Sequence, residues 1–215
     1  MKRNSARLYT ALSLLAAFGL WTAAVCLVDV QPIGPVGSRV GFAGINGLFH
    51  SMTGVHFSLY LATDWLSLIP AGICLGFALL GLAQWIRRKS LRAVDRSILL
   101  LGGFYILVAA AYLFFEETVI NYRPVLIQGI LEASYPSSTT LLVLCVMPTA
   151  AMQLRRRIRH PLARRCCLAA ITAFSLFMVA GRLVSGVHWL TDIIGGSLLS
   201  AGLVLLYQAL AFPEG

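Results

Sequence analysis

The sequence is poor in charged residues, which make up only 12% of its 215 residues. An ordinary soluble domain carries about 25% charged residues, so the composition argues against a soluble globular fold. Its five cysteines, Cys26, Cys74, Cys145, Cys166 and Cys167, all lie in or beside long apolar runs. An odd number without partners in polar loops argues against a disulfide framework or a zinc site. We therefore expect packing cysteines and no metal or other cofactor.

Apolar residues take the place of charge, at 59% of the chain. Runs long enough to cross a bilayer, about 17–25 residues, recur from one end of the chain to the other. We predict membrane-spanning helices at residues 8–28, 66–86, 97–115, 139–154, 166–182 and 189–211. The expected fold is an all-α integral membrane protein, a bundle of six transmembrane helices in which residues 1–215 form a single membrane domain.

The basic residues are concentrated on one side of this six-span arrangement. Three precede the first predicted span, five lie between the second and third, and six between the fourth and fifth, which makes fourteen of the 17. The positive-inside rule assigns that side to the cytoplasm, so both termini are expected there. The net charge of +9 is then explained by topology and anionic lipid headgroups, and we expect no nucleic-acid partner.

The opposite, outer face holds most of the acidic residues and only three basic ones, Arg39, Arg123 and Arg182. Topology does not require arginines on that face, so we expect the active-site face to lie there. It includes a predicted outer loop at about residues 29–65, with apolar residues at helical spacing typical of an amphipathic helix. That helix could guide a lipid tail or simply shield the bundle.

Residues 181–192 carry the densest group of chemically active side chains, in the order R-x5-H-x3-D. His188 and Asp192 are four residues apart, so the carboxylate can face the imidazole if both lie near a helix. A carboxylate on one ring nitrogen fixes the tautomer and leaves the other nitrogen free to attack an electrophile. Arg182 supplies a permanently charged fork suited to a phosphate or a carboxylate.

Two further clusters fall on the same predicted face. One, after the third span, ends in Arg123 and Pro124, and the other, S-Y-P-S-S-T-T, opens the fourth span. Ser137 after a proline is a plausible helix N-cap, and such a helix end readily holds an anion. The same serine could equally serve as a cap with only a structural role.

Together these clusters resemble the three signature motifs of the type-2 phosphatidic acid phosphatase superfamily, K-x6-R-P, P-S-G-H and S-R-x5-H-x3-D. The resemblance covers about residues 97–211, leaving residues 1–65 as an N-terminal span and the outer loop. Four positions depart from the pattern. Gly181 replaces the serine of the third motif, and Ser138 the glycine of the second. The lysine of the first motif is Glu116 and the histidine of the second is Thr139.

The resemblance implies that His188 is the nucleophile and forms a phosphohistidine, with Asp192 orienting it. It implies that Arg123, Arg182, Ser137 and Ser138 bind the phosphate oxygens. It also implies that the site lacks one cation, at Glu116, and the usual general acid, at Thr139, so that Glu116 and Thr139 are at most auxiliary. General acid catalysis contributes about 10²–10⁴-fold.

A diphosphate needs that acid less, because a phosphate monoester leaving group has a pKa of about 6. We therefore predict a membrane phosphohydrolase acting on lipid-linked phosphate or diphosphate, such as a polyprenyl diphosphate, in a bacterial cytoplasmic membrane. An alternative is a catalytically impaired relative that binds lipid phosphate as a sensor or scaffold. His50, His56, Glu117 or Glu132 could also supply the missing proton. The sequence does not indicate an oligomeric state.

Overall fold

The structure of the protein, a computed structural model, describes residues 2–213, without the side chains of Lys2 and Arg3. Within this range lie eight α-helices: α1 (Lys2–Leu27), α2 (Ala43–Thr53), α3 (Phe57–Leu66), α4 (Leu68–Arg88), α5 (Arg96–Glu117), α6 (Ser138–Arg157), α7 (Pro161–Val184) and α8 (Leu190–Ala211). Each of the six apolar runs identified in the sequence is helical. The expectation of an all-α membrane protein is confirmed.

Five segments of the described residues are long and apolar enough to cross a membrane: α1 from Asn4, the α3–α4 segment Phe57–Arg88, α5, α7 and α8. The helix α6 is not among them, because its sequence carries threonines, a glutamine and three terminal arginines. Many of its side chains are nevertheless buried, and it packs against α4, α5, α7 and α8. The count of six spans stays a prediction.

Helices α1 and α8 pack against each other in opposite directions. The indole nitrogen of Trp21 donates to the backbone oxygen of Thr191, 3.2 Å away, near the end of α1 and the start of α8. Farther along the pair, a Cβ on Gly202 would lie 2.8 Å from Leu15 side-chain atoms, so glycine is what allows this close approach. The start of α1 and the end of α8 therefore lie at the same end of the bundle.

The arginine-rich connections lie at that same end, which we call the basic end. Asp95, just before α5, lies 3.0 Å from Arg88 of α4 and 3.4 Å from Arg157 of α6. Hydrogen bonding from Gln84, followed by the nearby arginines, holds the pKa of Asp95 below its usual range. This network ties the ends of three helices together, which places the C-terminal end of α5 at the opposite end of the bundle.

That opposite end, which we call the site end, contains the α2–α3 segment. The predicted amphipathic helix is present as α2, and Leu48 and Met52 are exposed on it while Asn46 is buried. The last part of the predicted loop is not a loop, because residues 57–66 form α3 and pack against α7. The hydropathy of the sequence did not separate α3 from α4, since the two helices follow each other almost without interruption.

Candidate functional site

The site is built at the site end from the end of α5, the start of α6, the end of α7 and the start of α8. Residues 118–137 connect α5 to α6 and fold back on themselves. The backbone N–H of Arg123 donates to Glu132, at 3.0 Å, and that of Ser134 donates to Asn121, at 2.9 Å. This folded connection brings Arg123 and Ser134 together, and the indole nitrogen of Trp189 donates to the backbone of Tyr122 and anchors it.

His188 lies in the short turn between α7 and α8 and is 3% exposed. Its Nδ1 atom lies 3.1 Å from the Ser134 hydroxyl, which in turn lies 2.5 Å from Oδ2 of Asp192. The direct Nδ1–Oδ2 distance is 3.7 Å. Since the serine hydroxyl has one hydrogen and donates it to Asp192, it accepts from His188 Nδ1–H. The sequence predicted the pair of His188 and Asp192 but not the bridging serine.

The tautomer set by this bridge leaves the lone pair of His188 on Nε2. That atom is buried and has no hydrogen-bond partner in the described structure. Burial, together with the positive charges of Arg123 and Arg182, holds the pKa of His188 well below its usual range. The imidazole is therefore neutral at neutral pH, which is the form that a nucleophile requires.

Asp192, near the start of α8, is fully buried but well supplied with hydrogen-bond donors. Its Oδ2 atom accepts from the Trp189 backbone N–H at 2.8 Å as well as from Ser134. The side-chain nitrogen of Asn121 lies 3.5 Å from Oδ1. These contacts hold the carboxylate in one orientation against the histidine turn.

Arg182, on the last turn of α7, is 2% exposed. Its Nη2 atom donates to Asp64 Oδ1 at 3.0 Å and to the Thr139 hydroxyl at 2.5 Å. The guanidinium carbon lies 4.9 Å from the centre of the Tyr60 ring, a cation–π contact. Helix α3 can approach this closely because residue 181 is glycine: a Cβ there would lie 2.7 Å from the Thr63 methyl group.

Arg123 lies near the same Tyr60 ring, with its guanidinium carbon 5.9 Å from the ring centre. Its Nε atom is 3.0 Å from Glu132 Oε2, but the N–H is not aimed at the carboxylate. The Nη1 atom also lacks a hydrogen-bond partner. The two guanidinium groups therefore share one aromatic ring, and each also has a carboxylate neighbour.

Unpartnered buried nitrogens are concentrated in these three residues. Among the described residues, six buried side-chain polar atoms have no partner, and four of them are Nε and Nη1 of Arg123, Nε of Arg182 and Nε2 of His188. A buried polar group without a hydrogen bond costs about 1–3 kcal/mol, so a cluster of such groups indicates a place where a ligand, an ion or water can satisfy them. Three N–H donors of the arginines beside the lone pair of His188 suit a phosphate. The donors can bind its oxygens while the lone pair faces its phosphorus atom.

The three hydroxyl residues at the start of α6 have different surroundings. Ser137 is completely buried, caps α6 by accepting from the Thr140 N–H at 3.5 Å, and accepts the Thr140 hydroxyl at 3.1 Å. Its hydroxyl is thus engaged in the helix cap. Ser138 and Thr139 instead line a cavity between α3, α4, α5 and α6. Of the three, Ser137 has the contacts of a structural residue.

A cavity of about 710 Å³ opens beside the two arginines, between α3, α4, α5 and α6. Its polar end contains Arg123, Arg182, Asp64, Glu132 and Glu116, and farther from the site end it is lined by aliphatic and aromatic residues of α4, α5 and α6. A second, small pocket contains His188, Ser134, Ser138 and again Glu116. Glu116 therefore lies at the junction between the histidine and the arginines.

Both outer histidines lie away from these two cavities. The Nε2 atom of His50 lies 3.2 Å from the backbone oxygen of Gly186, and its ring packs against Trp189. The Nε2 atom of His56 lies 2.9 Å from the backbone oxygen of Thr53, inside its own turn. Glu117 lines neither cavity. Of the four alternative proton sources named from the sequence, only Glu132 faces the site.

A helical membrane bundle with a buried histidine, its carboxylate and two arginines at one end defines an integral membrane protein of the phosphatase type. The chain belongs to the PAP2 superfamily, whose family model matches residues 104–213. The resemblance seen in the three motifs is thereby confirmed.

The fold is also similar to a solved structure, a transmembrane PAP2 type phosphatidylglycerolphosphate phosphatase from Bacillus subtilis. The TM-score is 0.54 at 19% sequence identity, over 93% of this chain and 94% of that one. This similarity supports the shared fold. A comparison with curated protein sequences found no match.

Proposed function

We propose that this protein is a membrane phosphohydrolase that removes phosphate from a lipid-linked phosphate or diphosphate through a phosphohistidine on His188. The observation that carries the proposal is the group of four buried nitrogens without a hydrogen bond on Arg123, Arg182 and His188. Phosphoryl transfer depends mainly on positioning and charge stabilisation. Two guanidinium groups beside a neutral imidazole supply both.

In the proposed reaction, Nε2 of His188 attacks phosphorus while the arginines hold the equatorial oxygens. Backbone N–H groups of the first turn of α6, around Ser138 and Thr139, lack acceptors within the helix and can add to this cradle. Asp192, acting through Ser134, stabilises the positive charge that develops on the ring. Water then releases phosphate and regenerates the neutral histidine.

A lipid substrate fits the position of the cavity. Farther from the site end than the arginines, the walls of the cavity are apolar residues of α4, α5 and α6, including Ala71, Val108 and Leu142. A hydrocarbon tail can lie among these residues while its headgroup reaches the arginines. The site end would face the outside of the cytoplasmic membrane, with both termini in the cytoplasm, as the distribution of arginines predicts.

Thr139 stands where the superfamily motif has its general acid, and its hydroxyl accepts from Arg182. A threonine hydroxyl is a poor proton donor to a departing alkoxide. We therefore expect a lipid diphosphate to be cleaved faster than a lipid monoester, because its leaving group is already a weak base.

A lipid-phosphate sensor or scaffold is the second candidate function. It is favoured by one observation: both arginines have a carboxylate neighbour 3.0 Å away, Asp64 for Arg182 and Glu132 for Arg123. A binding protein, however, has no need of the arrangement of His188, Ser134 and Asp192. We therefore place the enzyme first.

Incubation of the purified protein with a polyprenyl diphosphate, a polyprenyl monophosphate, phosphatidic acid and phosphatidylglycerolphosphate tests the proposal. Release of inorganic phosphate that is lost in His188→Ala and strongly reduced in Asp192→Asn is the expected result. No release from any substrate, with equal lipid binding by wild type and His188→Ala, would establish the binding protein instead.

A further inference from the structure

We infer that Glu116 is the proton donor to the leaving group. It takes over the role of the motif histidine, whose position is occupied by Thr139, and this extends the substrate class to lipid phosphate monoesters. This inference rests on the proposed function. It concerns a position where the superfamily motif has a lysine and this chain has a carboxyl group.

The position of Glu116 is the first argument. It lies on the last turn of α5 and lines both the small pocket that contains His188 and the large cavity that contains Arg123 and Arg182. A phosphorus atom held between the histidine and the arginines must therefore lie close to this side chain. A general acid has to meet that geometric requirement before any other.

Elimination among the carboxyl groups of the cavity is the second argument. Asp64 accepts from Arg182 at 3.0 Å, and Glu132 lies 3.0 Å from Arg123. A carboxylate paired with an arginine stays ionised and has no proton to give. In the described structure Glu116 is the remaining carboxyl group of the cavity, and no arginine forms an ion pair with it within 4.0 Å.

Substrate binding itself favours the required protonation state. A phosphate dianion brought next to an ionised carboxylate is repelled, and like charges within about 4–6 Å disfavour the charged form. Glu116 therefore takes up a proton as the substrate enters. The titratable and charged groups around it are Tyr112 and Glu117 on its own helix, Arg123 and Glu132 from the folded connection, and His188 from the turn before α8.

The two steps balance without any other co-reactant. In the first, the Nε2–P bond forms, the P–O bond to the lipid breaks, and the Glu116 proton passes to the departing oxygen. In the second, which is the same for both kinds of leaving group, water attacks phosphorus and its protons stay on the phosphate oxygens, while Glu116 regains a proton from solvent. The P–Nε2 bond then breaks, its electron pair returns to Nε2, and inorganic phosphate leaves.

The test compares two leaving groups in Glu116→Gln. Phosphatidic acid leaves as an alkoxide, which needs a proton, whereas a polyprenyl diphosphate leaves as a monophosphate, whose pKa is about 6. We expect kcat for phosphatidic acid to fall by about 10²–10⁴-fold and kcat for the diphosphate to fall much less. Glu116 is exposed at the end of α5, so the amide is expected to leave the fold unchanged, and thermal unfolding verifies this.

A pH profile and a second variant complete the experiment. Wild-type kcat for phosphatidic acid should fall as the pH rises, because the acid loses its proton, and Glu116→Gln should lack this limb. Glu116→Lys restores the motif cation and should lower KM without restoring kcat for phosphatidic acid.

The inference is wrong if Glu116→Gln slows both substrates equally or slows neither, or if wild type cleaves the diphosphate but never phosphatidic acid. Those results leave the proposed function standing. Absence of any His188-dependent release overturns the proposed function together with this inference.

Discussion

The buried guanidinium group of Arg182 donates to the Asp64 carboxylate across 3.0 Å, which joins the end of α7 to α3. Arg182 is almost fully buried, whereas 52% of the Asp64 side chain is exposed. The ion pair is thus solvated on one side, so in the proposed reaction the aspartate orients the arginine and can still give way to an incoming phosphate.

Two replacements of Asp64 distinguish the hydrogen bond that orients Arg182 from the negative charge of the carboxylate. Asp64→Asn keeps an oxygen that can accept from Nη2, whereas Asp64→Ala removes it. We expect kcat/KM to fall by about tenfold in Asp64→Ala, equivalent to about 1.4 kcal/mol of transition-state binding, and to fall less in Asp64→Asn. Steady-state kinetics on one lipid substrate measure the difference. Equal rates in both variants and wild type would show that Asp64 does not position Arg182.

Ser134 and Ser137 form a matched pair of buried serines with different predicted roles. Ser134→Ala removes the bridge between His188 and Asp192, and we expect kcat to fall by about 10–100-fold with little change in KM, as for other groups that orient a site residue. Ser137→Ala removes the cap of α6 and should cost about 1 kcal/mol of stability with kcat nearly unchanged. Measured kcat, KM and thermal unfolding of both variants distinguish the two roles. The reverse pattern would contradict these assignments.

The features that followed from the sequence are those that depend on composition and local spacing. Long apolar runs predict helices because a helix satisfies its backbone hydrogen bonds within the segment that crosses the bilayer, and a motif with fixed spacing keeps His188 and Asp192 together. The roles of Ser134 and Asp64 could not be predicted in this way. Ser134 and His188 are 54 residues apart in the sequence, and Asp64 and Arg182 are 118 apart. Contacts between residues so far apart depend on the whole fold and leave no local pattern.

The separation of α3 from the predicted outer loop also depended on packing. Residues 57–66 are apolar and continue directly into α4, so hydropathy alone does not define where the helix begins. What fixes α3 is its contact with α7, and that contact depends on the missing side chain at Gly181.

The pH dependence of the reaction should reflect the low pKa of His188. In the proposed reaction the neutral imidazole is the active form, and because the pKa of His188 is held below the usual value, protonation begins only at a lower pH than in a free histidine. The acid limb of kcat/KM should therefore lie below pH of about 6.5. In Arg123→Ala one of the two nearby positive charges is lost, so the same limb should move to higher pH. An acid limb at or above that of free imidazole would contradict a buried neutral nucleophile.

Gly181→Ser, which restores the serine of the superfamily motif, should destabilise this protein. Its Cβ would meet the Thr63 methyl group at 2.7 Å, and overpacking of this kind costs about 1–3 kcal/mol. The double variant with Thr63→Ser removes that methyl group and should recover most of the loss, while the hydroxyl near Arg182 is kept. Thermal unfolding in detergent measures both. A single variant as stable as wild type would show that α3 does not pack as described.

Access of a long lipid tail can be tested at Ala109 on α5. The large cavity and a neighbouring apolar groove of about 610 Å³ between α4 and α5 share Cys74, Tyr105 and Ala109 as walls. Along α5 the two extend together from Ile98 to Glu116, about 27 Å at 1.5 Å per residue, which is close to the thickness of the hydrocarbon core. A long isoprenoid chain can therefore follow the groove past the cavity, whereas a short acyl chain ends within it.

Ala109→Trp should obstruct this passage. We expect KM for a long-chain polyprenyl substrate to rise by about tenfold, or about 1.4 kcal/mol, with little change for dioctanoyl phosphatidic acid. Ala110→Trp is the matched control, because Ala110 is exposed on the same helix but lines neither cavity. Equal effects of the two tryptophans, or loss of activity toward the short-chain lipid in Ala109→Trp, would show that the tail does not pass between α4 and α5.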